Sequence, residues 1–336
     1  MSTRDKLLEL LISSCGEFVS GTEVAARLGV SGTAVWKAAR KLQKEGYNID
    51  AVTRKGYRLS ADTDLLTRNG ILQDLQSDIR LEVYDSVDST NAICLTAGSQ
   101  GEPEVFAAVA GRQTRGRGRR GRSFYSPADT GIYMSLLLRP PCKDPAQALR
   151  LTTIAAVAVC EAIEAVSGQI ARIKWVNDVY ISGRKVCGIL TEASISLEGG
   201  TLDYAVVGIG INAYEPEGGF PADIADRAGA AFSHRVSNGR SRLTAKVLDR
   251  FMHYYGLFLK DLETESAGGH GENAYAEEYR KRCFVIGKNI DVITPASRRE
   301  AVATGLTDDC RLIVKYEDGS VEELESGEIS IRTRDQ

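Results

Sequence analysis

Ile170-Ala-Arg-Ile-Lys-Trp-Val-Asn-Asp-Val-Tyr-Ile-Ser-Gly-Arg-Lys-Val-Cys-Gly-Ile-Leu190 decides the architecture of this chain. Three apolar, β-branched runs, at 170–176, 179–181 and 186–192, read as strands. Ser182–Lys185 between the second and third reads as a hairpin turn. A hairpin joins antiparallel neighbours, so at least part of the sheet is antiparallel. Along the first run Arg172 and Lys174 share one face, and Ile173 and Trp175 share the other. Alone, that is the pattern of an edge strand with solvated charges. Two stretches argue for a site instead: Gly183-Arg-Lys-Val-Cys-Gly-Ile-Leu190, and Gly208-Ile-Gly-Ile-Asn212, which carries too much glycine for good β packing. Glycines inside strands mark the close approach of a ligand.

Outward from there, Leu81–Tyr84, Val105–Ala110, Ile132–Leu138 and Tyr204–Ile211 read as further strands. Leu149–Val166 is apolar on nearly all sides, the pattern of a buried helix. Residues 241–262 and 272–282 read as helices, with a loop at Glu265–Gly271. The chain then turns to short strands, at Val285–Ile286, Asn289–Ile293, Arg299–Thr304, Leu312–Tyr316 and Glu322–Leu324, which fit a small β-barrel. The fold class is α+β.

Between two of the central strands lies Gly111-Arg-Gln-Thr-Arg-Gly-Arg-Gly-Arg-Arg-Gly-Arg122, with six arginines in twelve residues. Each guanidinium needs an anionic partner, so the loop cannot pack into a core. Its glycines let the backbone close around a ligand, and its arginines offer planar forks for phosphate or carboxylate. Gly116-x-Gly-x-x-Gly121 matches the dinucleotide fingerprint formally. That fingerprint must open a helix, whereas two aromatics and Pro127 follow here. A second reading, an arginine–glycine nucleic-acid tail, conflicts with the loop's place inside a folded domain.

Residues 1–60 form a separate pattern. Leu7, Leu8, Leu11 and Ile12 give a first helix its apolar face, and Thr22–Leu28 is a short second helix stopped by Gly29. Ser31 caps a third, running to about Glu45, with Val35, Ala39 and Leu42 on one face. Two strands, Asn48–Thr53 and Tyr57–Leu59, close the unit around Arg54 and Lys55. This is a winged helix-turn-helix pattern. Its third helix would offer Ser31, Thr33, Trp36 and Lys37 to base edges, and its wing would offer Arg54 and Lys55 to phosphates. A protein-docking domain is the alternative.

The 336 residues suffice for two or three domains, and a net charge of −3 confines any nucleic-acid contact to a local patch. Arg4, Asp5, Lys6 and Glu9 interrupt any leader, and no apolar run is long enough to span a bilayer, so a cytoplasmic protein without membrane contact is expected. Seven widely spaced cysteines without C-x-x-C, and three unpaired histidines, argue against a disulfide framework or a metal held by Cys and His.

Asp88-Ser-Thr-Asn91, Gly116-Arg-Gly-Arg-Arg-Gly121, Lys174-Trp-x-Asn-Asp178, Gly183-Arg-Lys-x-x-Gly-Ile-Leu190 and Gly208-Ile-Gly-Ile-Asn212 occur in this order. As an ordered set they resemble the biotin–protein ligases. With the winged helix in front, the chain is similar to the bifunctional biotin operon repressor type. The resemblance implies domains at 1–62 (winged helix-turn-helix), 63–282 (a catalytic mixed sheet with helices, class II synthetase-like) and 283–336 (a small SH3-like barrel). It implies two steps: the biotin carboxylate attacks the α-phosphate of ATP, giving biotinyl-adenylate and pyrophosphate, and a lysine of a biotin carboxyl carrier protein then takes the biotinyl group. Lys174 and Arg119 would be the catalytic pair. Ser89, Thr90, Asn91, Gln113, Arg117, Gly118, Arg119 and Lys174 would bind biotin. Gly116, Arg117, Arg119, Arg122, Asn177 and Asn212 would hold ATP and the adenylate. Asp178 would help place the Mg²⁺ that accompanies ATP. The loop would be mobile when empty and ordered over adenylate, with ordering linked to a homodimer on operator DNA. Two departures stand out: Val176 where the family usually has Pro, and Phe124 where it usually has Trp near the end of the arginine loop. Neither removes a charge from the site, so changed affinity is expected rather than lost chemistry. A lipoate–protein ligase and a biotin sensor without ligase activity are the alternatives.

Overall fold

The computed structural model describes residues 2–333 apart from 15, 45–46, 61–63, 197–199, 294–296 and 325–329. The expected boundary at 62/63, Cys15 and Glu325 therefore lie outside the described residues.

The N-terminal unit comprises α1 (Thr3–Ser13), α2 (Gly21–Leu28), α3 (Gly32–Lys44), β1 (Ile49–Val52) and β2 (Gly56–Leu59). Local signals set its ends. Ser2 and Asp5 form a capping box on α1, and Ser20 caps α2. Gly29 closes α2 at φ 65°, a left-handed position that favours glycine. Leu7, Leu8, Leu11, Val24, Val35, Ala39, Leu42, Ile49 and Leu59 form a core of its own. The wing is an antiparallel pair, β1 with β2.

The central unit is built on α4 (Arg68–Leu72), β3 (Arg80–Tyr84), α5 (Thr90–Ser99), β4 (Phe106–Ala110), β5 (Gly131–Leu138), α6 (Leu149–Ser167), β6 (Arg172–Lys174), β7 (Asp178–Ile181), β8 (Arg184–Ile195), β9 (Leu202–Asn212), α7 (Gly239–Ser266) and α8 (Ala274–Arg282). Seven strands pair in the order β3-β4-β5-β9-β8-β7-β6. Only β3 and β4 run parallel; the hairpin of β7 and β8 turns at Ser182 and Gly183.

Alternation along the strands gives the sheet two different faces. On one, Ala107, Val109, Ile132, Met134, Leu136, Val207, Ile209, Ile211 and Ile189 join α6, α7 and α8 in the main core. That is why α6 is apolar all round: the sheet covers one side and helices cover the other. On the opposite face, Phe106, Ala108, Leu137 and Val206 pack with Cys94 of α5. Beyond α5 the same rows turn to Ser135, Gly188, Gly208, Gly210 and Asn212, and there the sheet is left for a site.

The C-terminal unit has β10 (Asn289–Ile293), β11 (Arg298–Leu306), β12 (Leu312–Tyr316), β13 (Val321–Leu324) and β14 (Ser330–Thr333). They form one antiparallel sheet in the order β13-β12-β11-β10-β14. No pairing joins β13 to β14 among the described residues, so the five-stranded sheet is what stands of the expected barrel. Arg150 of α6 binds Asp309, and Arg280 of α8 binds Asp308, so the β11–β12 turn is clasped by helices of the central unit.

Three sequence expectations are corrected. Val285–Ile286 is a turn, not a strand. The strand expected over 170–176 is only Arg172–Lys174, because residues 175–177 turn away. Trp175 Nε1 donates to the Cys310 carbonyl at 2.8 Å and Tyr279 Oη donates to the Val176 carbonyl at 2.9 Å, which holds that turn from outside. The loop expected from Glu265 starts later, since α7 runs through Ser266.

The winged unit is tied to the central one. Tyr47 Oη donates to Thr67 at 3.1 Å and Asn69 to Asp5 at 2.9 Å. Deeper in, Arg240 at the start of α7 is 2% exposed. Its backbone N–H donates to Asp64 Oδ1 at 3.0 Å and its Nε to Asp64 Oδ2 at 3.3 Å. Its Nη1 reaches the Gly131 carbonyl at 3.5 Å. A charge taken this far from water must be paired; Asp64 is the near, buried partner, and Asp129 Oδ1 stands 3.8 Å from Nη2.

Candidate active site

The open face of the sheet, the loop 111–126 and the turn 175–177 enclose a cavity of about 860 Å³. That volume suits a ligand of roughly drug or cofactor size. Ser89, Thr90, Asn91, Gln113, Arg117, Gly118, Arg119, Arg122, Lys174, Asn177, Asp178 and Asn212 all line it. Residues more than a hundred positions apart in sequence are thus brought to one place. Gly116 stands behind the lining: a Cβ there would meet the Phe124 carbonyl oxygen at 2.4 Å.

One end is a buried polar cluster at the N-terminus of α5. Thr90 N donates to Gln113 Oε1 at 2.9 Å, and Gln113 Nε2 donates to Ser126 Oγ at 3.2 Å. Ser135 Oγ, fully buried, lies 2.7 Å from Thr90 Oγ1 and 2.6 Å from Asn91 Oδ1. Asn91 Nδ2 donates to Glu192 Oε2 at 2.8 Å. Donors and acceptors here are positioned by one another, so a polar ring entering this end meets a fixed pattern.

The floor is glycine for a steric reason. A Cβ on Gly208 would stand 2.0 Å from Asn91 Oδ1, and one on Gly210 would stand 2.5 Å from the Phe124 ring. The close approach that the strand glycines permit is made by the protein's own Asn91 and Phe124.

The other end is cationic. Seven Arg or Lys side chains line the cavity against two Asp, which favours an anionic ligand. The Gly116–Gly121 stretch opens a single 3-10 turn, Arg119–Gly121, and no α-helix, as a phosphate-closing loop needs and a dinucleotide fingerprint does not. The Gly118 N–H donates to the Arg122 carbonyl and the Phe124 N–H to the Gly116 carbonyl, so the loop folds back as a narrow hairpin. Arg119 Nη1 donates to Asn177 Oδ1 at 3.1 Å. Burial holds the Arg119 guanidinium below its usual range, against the pull of Asp178. Asn177 Nδ2 donates to the Ile189 carbonyl and Asn212 Nδ2 to the Gly229 carbonyl, which fixes both amides at the cavity wall. Lys174 Nζ sits 5.6 Å above the Tyr180 ring.

Sequence reading missed several contributors. Lys185 Nζ lies 2.6 Å from Asp178 Oδ1. Ser135 and Glu192 organise the polar end. Period-two alternation was the available signal: Glu192 shares a strand face with Gly188, and Ser135 with Leu137 and Tyr133. Among the described residues no group of three or more His, Cys, Asp or Glu could hold a metal. Asp178 already answers to Lys185, so this donor set does not fit a protein-held cation.

A second hollow, about 440 Å³, lies beside α5 and β3. Its charges answer one another, Arg80 pairing with Glu82 and Glu102. The DNA-reading candidates lie apart from the cavity, on the N-terminal unit. Ser31, Thr33, Trp36 and Lys37 are exposed along the first turns of α3, and Arg54 and Lys55 are exposed at the wing tip. Trp36 is 52% exposed, too large an apolar surface for a purely solvated face.

Comparison with known proteins agrees along the whole chain. A model described as the biotin/lipoate A/B protein ligase family matches residues 83–212. An HTH domain model matches 3–58, and a biotin protein ligase C terminal domain model matches 285–332. The bifunctional ligase/repressor BirA of Bacillus subtilis (strain 168) is 33% identical over 98% of this chain and 98% of its own. The protein of the same name from Escherichia coli (strain K12) is 35% identical over 62% of each. A solved structure of the biotin protein ligase from Aquifex aeolicus, in complex with biotin and ATP, superposes with a TM-score of 0.60 at 28% identity, covering 76% of this chain and 99% of that one. No helix among the described residues is long and apolar enough to cross a membrane. The chain belongs to the biotin protein ligases, and to their bifunctional ligase/repressor branch.

Proposed function

We propose that this protein joins biotin to a lysine of a biotin carrier protein at the expense of ATP, and represses genes through its winged helix. The observation that carries the reading is the cavity's polarity: a fixed donor–acceptor cluster at one end, a cationic loop at the other, and a glycine floor between.

Biotin lies with its ureido ring against Thr90, Asn91 and Gln113 and its carboxylate toward Lys174 and Arg117. The carboxylate oxygen attacks the α-phosphate of ATP, the bond to the β-phosphate breaks, and pyrophosphate leaves. This step brings negative charges together, so its barrier falls chiefly by positioning and charge neutralisation. Lys174 bridges carboxylate and α-phosphate. Arg119, held by Asn177, faces the phosphate, and Arg122 faces the departing pyrophosphate. Asn177 and Asn212 address the nucleotide. Mg²⁺ arrives with ATP as part of the substrate; no step is assigned to a metal held by the protein. In the second step the carrier lysine's amine attacks the biotinyl carbonyl and AMP leaves.

On the DNA side, a two-fold dimer would place two α3 helices in successive major grooves, roughly 34 Å apart. The wing tips would meet phosphates in a salt-dependent way.

ATP–pyrophosphate exchange tests the first step, with biotin and then lipoate as the added acid. Exchange that needs biotin supports the reading. Exchange with lipoate alone moves the protein to the neighbouring activity, and exchange with neither leaves a sensor. Operator binding that persists after removal of residues 1–60 would refute the DNA assignment.

A further inference from the structure

Lys174 and Tyr180 meet across the two strands that end the central sheet, β6 and β7. These strands pair with Lys174 opposite Asp178 and Arg172 opposite Tyr180. Side chains two apart share a face, so Lys174, Asp178 and Tyr180 stand together, with Tyr180 the diagonal neighbour of Lys174. From the other side β8 brings Lys185 opposite Tyr180. Beyond Arg172, that face therefore carries two lysines, one carboxylate and one aromatic ring. Lys185 Nζ takes the carboxylate, 2.6 Å from Asp178 Oδ1. Lys174 Nζ lies over the ring, 5.6 Å from its centroid.

The ring is itself held. Tyr180 is buried and lines the cavity. Phe284 meets it edge to face, with centroids 5.5 Å apart and planes at 65°. A ring packed in this way cannot turn far, and it keeps its electron-rich face toward the ammonium. Ring and carboxylate hold a lysine differently. A carboxylate takes an N–H and cancels the charge. A ring face attracts the whole cation and takes no N–H, the geometry a lysine needs when its donors are to serve substrate oxygens. Burial strengthens the attraction, because little water competes for the cation.

We propose that Tyr180 is a positioning residue: its ring face seats the Lys174 ammonium at the point where the biotin carboxylate meets the α-phosphate. The role rests on the reaction proposed above, in which Lys174 bridges those two anions. Their negative charges draw together in the transition state, and a lysine already seated between them gives up less rotamer freedom to reach them. The contribution belongs to the ring and not to the hydroxyl. Tyr180→Phe therefore keeps it, and Tyr180→Leu, apolar but without π electrons, removes it.

Biotin-dependent ATP–pyrophosphate exchange by the full-length chain tests this. Tyr180→Leu should lower kcat about tenfold to thirtyfold with KM for biotin within about threefold, and Tyr180→Phe should keep kcat within about threefold of the wild type. A fluorine series gives a readout that packing alone would not move. Phenylalanine and its 4-fluoro, 3,5-difluoro and 3,4,5-trifluoro forms, placed at position 180, differ little in shape while the ring face loses negative charge. The logarithm of kcat should fall stepwise with each fluorine. In a Lys174→Ala background the same series should be flat. A flat series with Lys174 in place, an equal slope in its absence, or a loss in Tyr180→Phe as large as in Tyr180→Leu would overturn the proposal. So would a raised KM at unchanged kcat, which would make Tyr180 a binding contact. Should Tyr180→Leu fail to fold, the fluorine series decides alone. Exchange absent from the wild type overturns the reaction and this role with it, whereas exchange with a flat series overturns this role only.

Discussion

Gly208→Ala is the sharpest perturbation the site offers, because one methyl group meets a buried hydrogen-bond network. Gly208 does not use a left-handed backbone, so alanine costs nothing in conformation there. The cost is all in the contact. The new Cβ would stand 2.0 Å from Asn91 Oδ1 and 2.8 Å from its Cγ, so the amide must retreat by more than about 1 Å. Asn91 is 5% exposed, and it serves Ser135 and Glu192. Moving it takes from Ser135 one of its two partners and disturbs the bond to Glu192, about 1 kcal/mol, and overpacks the floor, about 1–3 kcal/mol more. We expect about 3 kcal/mol of lost stability, a fall in melting temperature of about 6–12 °C for a unit of this size, and a biotin KM raised at least tenfold. Gly210→Ala, two residues along the same face, is the control. There the Cβ meets only the Phe124 ring, at 2.5 Å, and that ring rides on a loop and can swing away. Stability should fall by less than about 1 kcal/mol while the biotin KM still changes. Thermal and urea unfolding, with exchange kinetics beside them, check both. Gly208→Ala within about 0.5 kcal/mol of the wild type would refute the claim that the floor is glycine to admit Asn91.

Other outcomes follow from the same geometry. Lys174→Ala should slow biotin-dependent exchange by about a hundred- to a thousandfold, the usual loss of one charge-stabilising donor; undiminished exchange would remove Lys174 from the chemistry. Arg54→Ala and Lys55→Ala should each weaken operator and random DNA alike and lower the salt-dependence slope by about 0.9, whereas Lys37→Ala should cost about 1–3 kcal/mol at one base position; binding titrations over a salt series separate the two. Burial raises the thiols of Cys94, Cys283 and Cys310 to about 12 and that of Cys142 to about 11. Their thiolates are therefore scarce below pH 10 in the folded chain, and at pH 8 iodoacetamide should label these positions only after unfolding, as read by mass spectrometry.

What was legible in the sequence is what leaves a local period. The glycines of β8 and β9, the apolar girth of α6 and the capped helices of the winged unit each repeat a pattern within a dozen residues. Ser89, Thr90 and Asn91 were readable as polar partners, but the helix they begin was not. Thr90-Asn-Ala-Ile-Cys-Leu-Thr-Ala-Gly-Ser99 has β-branched residues and a glycine that weaken its helical signal, and its packing on β5 supplies what propensity lacks. The early end of β6 depends on Cys310 and Tyr279, more than a hundred residues away. Glu192 looked like any strand carboxylate until Arg117 was placed across from it. Long-range pairing has no sequence period, and most of what the site adds to its motifs is long-range.

The bond between Asp64 and Arg240 has a consequence for the inheritance of the DNA-reading unit. Residue 64 lies just past the winged helix, and residue 240 opens a helix of the catalytic body. The sequence that leads out of one module is thus a structural part of the other. A cut placed after residue 66 would leave this buried guanidinium with only the more distant Asp129 and the Gly131 carbonyl, at a cost of up to about 3–5 kcal/mol. A lineage that discards the DNA reader must therefore keep this short peptide or replace Arg240 at the same time. Grafting a foreign reader onto this ligase should likewise succeed when the splice falls before Asp64, and fail when it falls a few residues later.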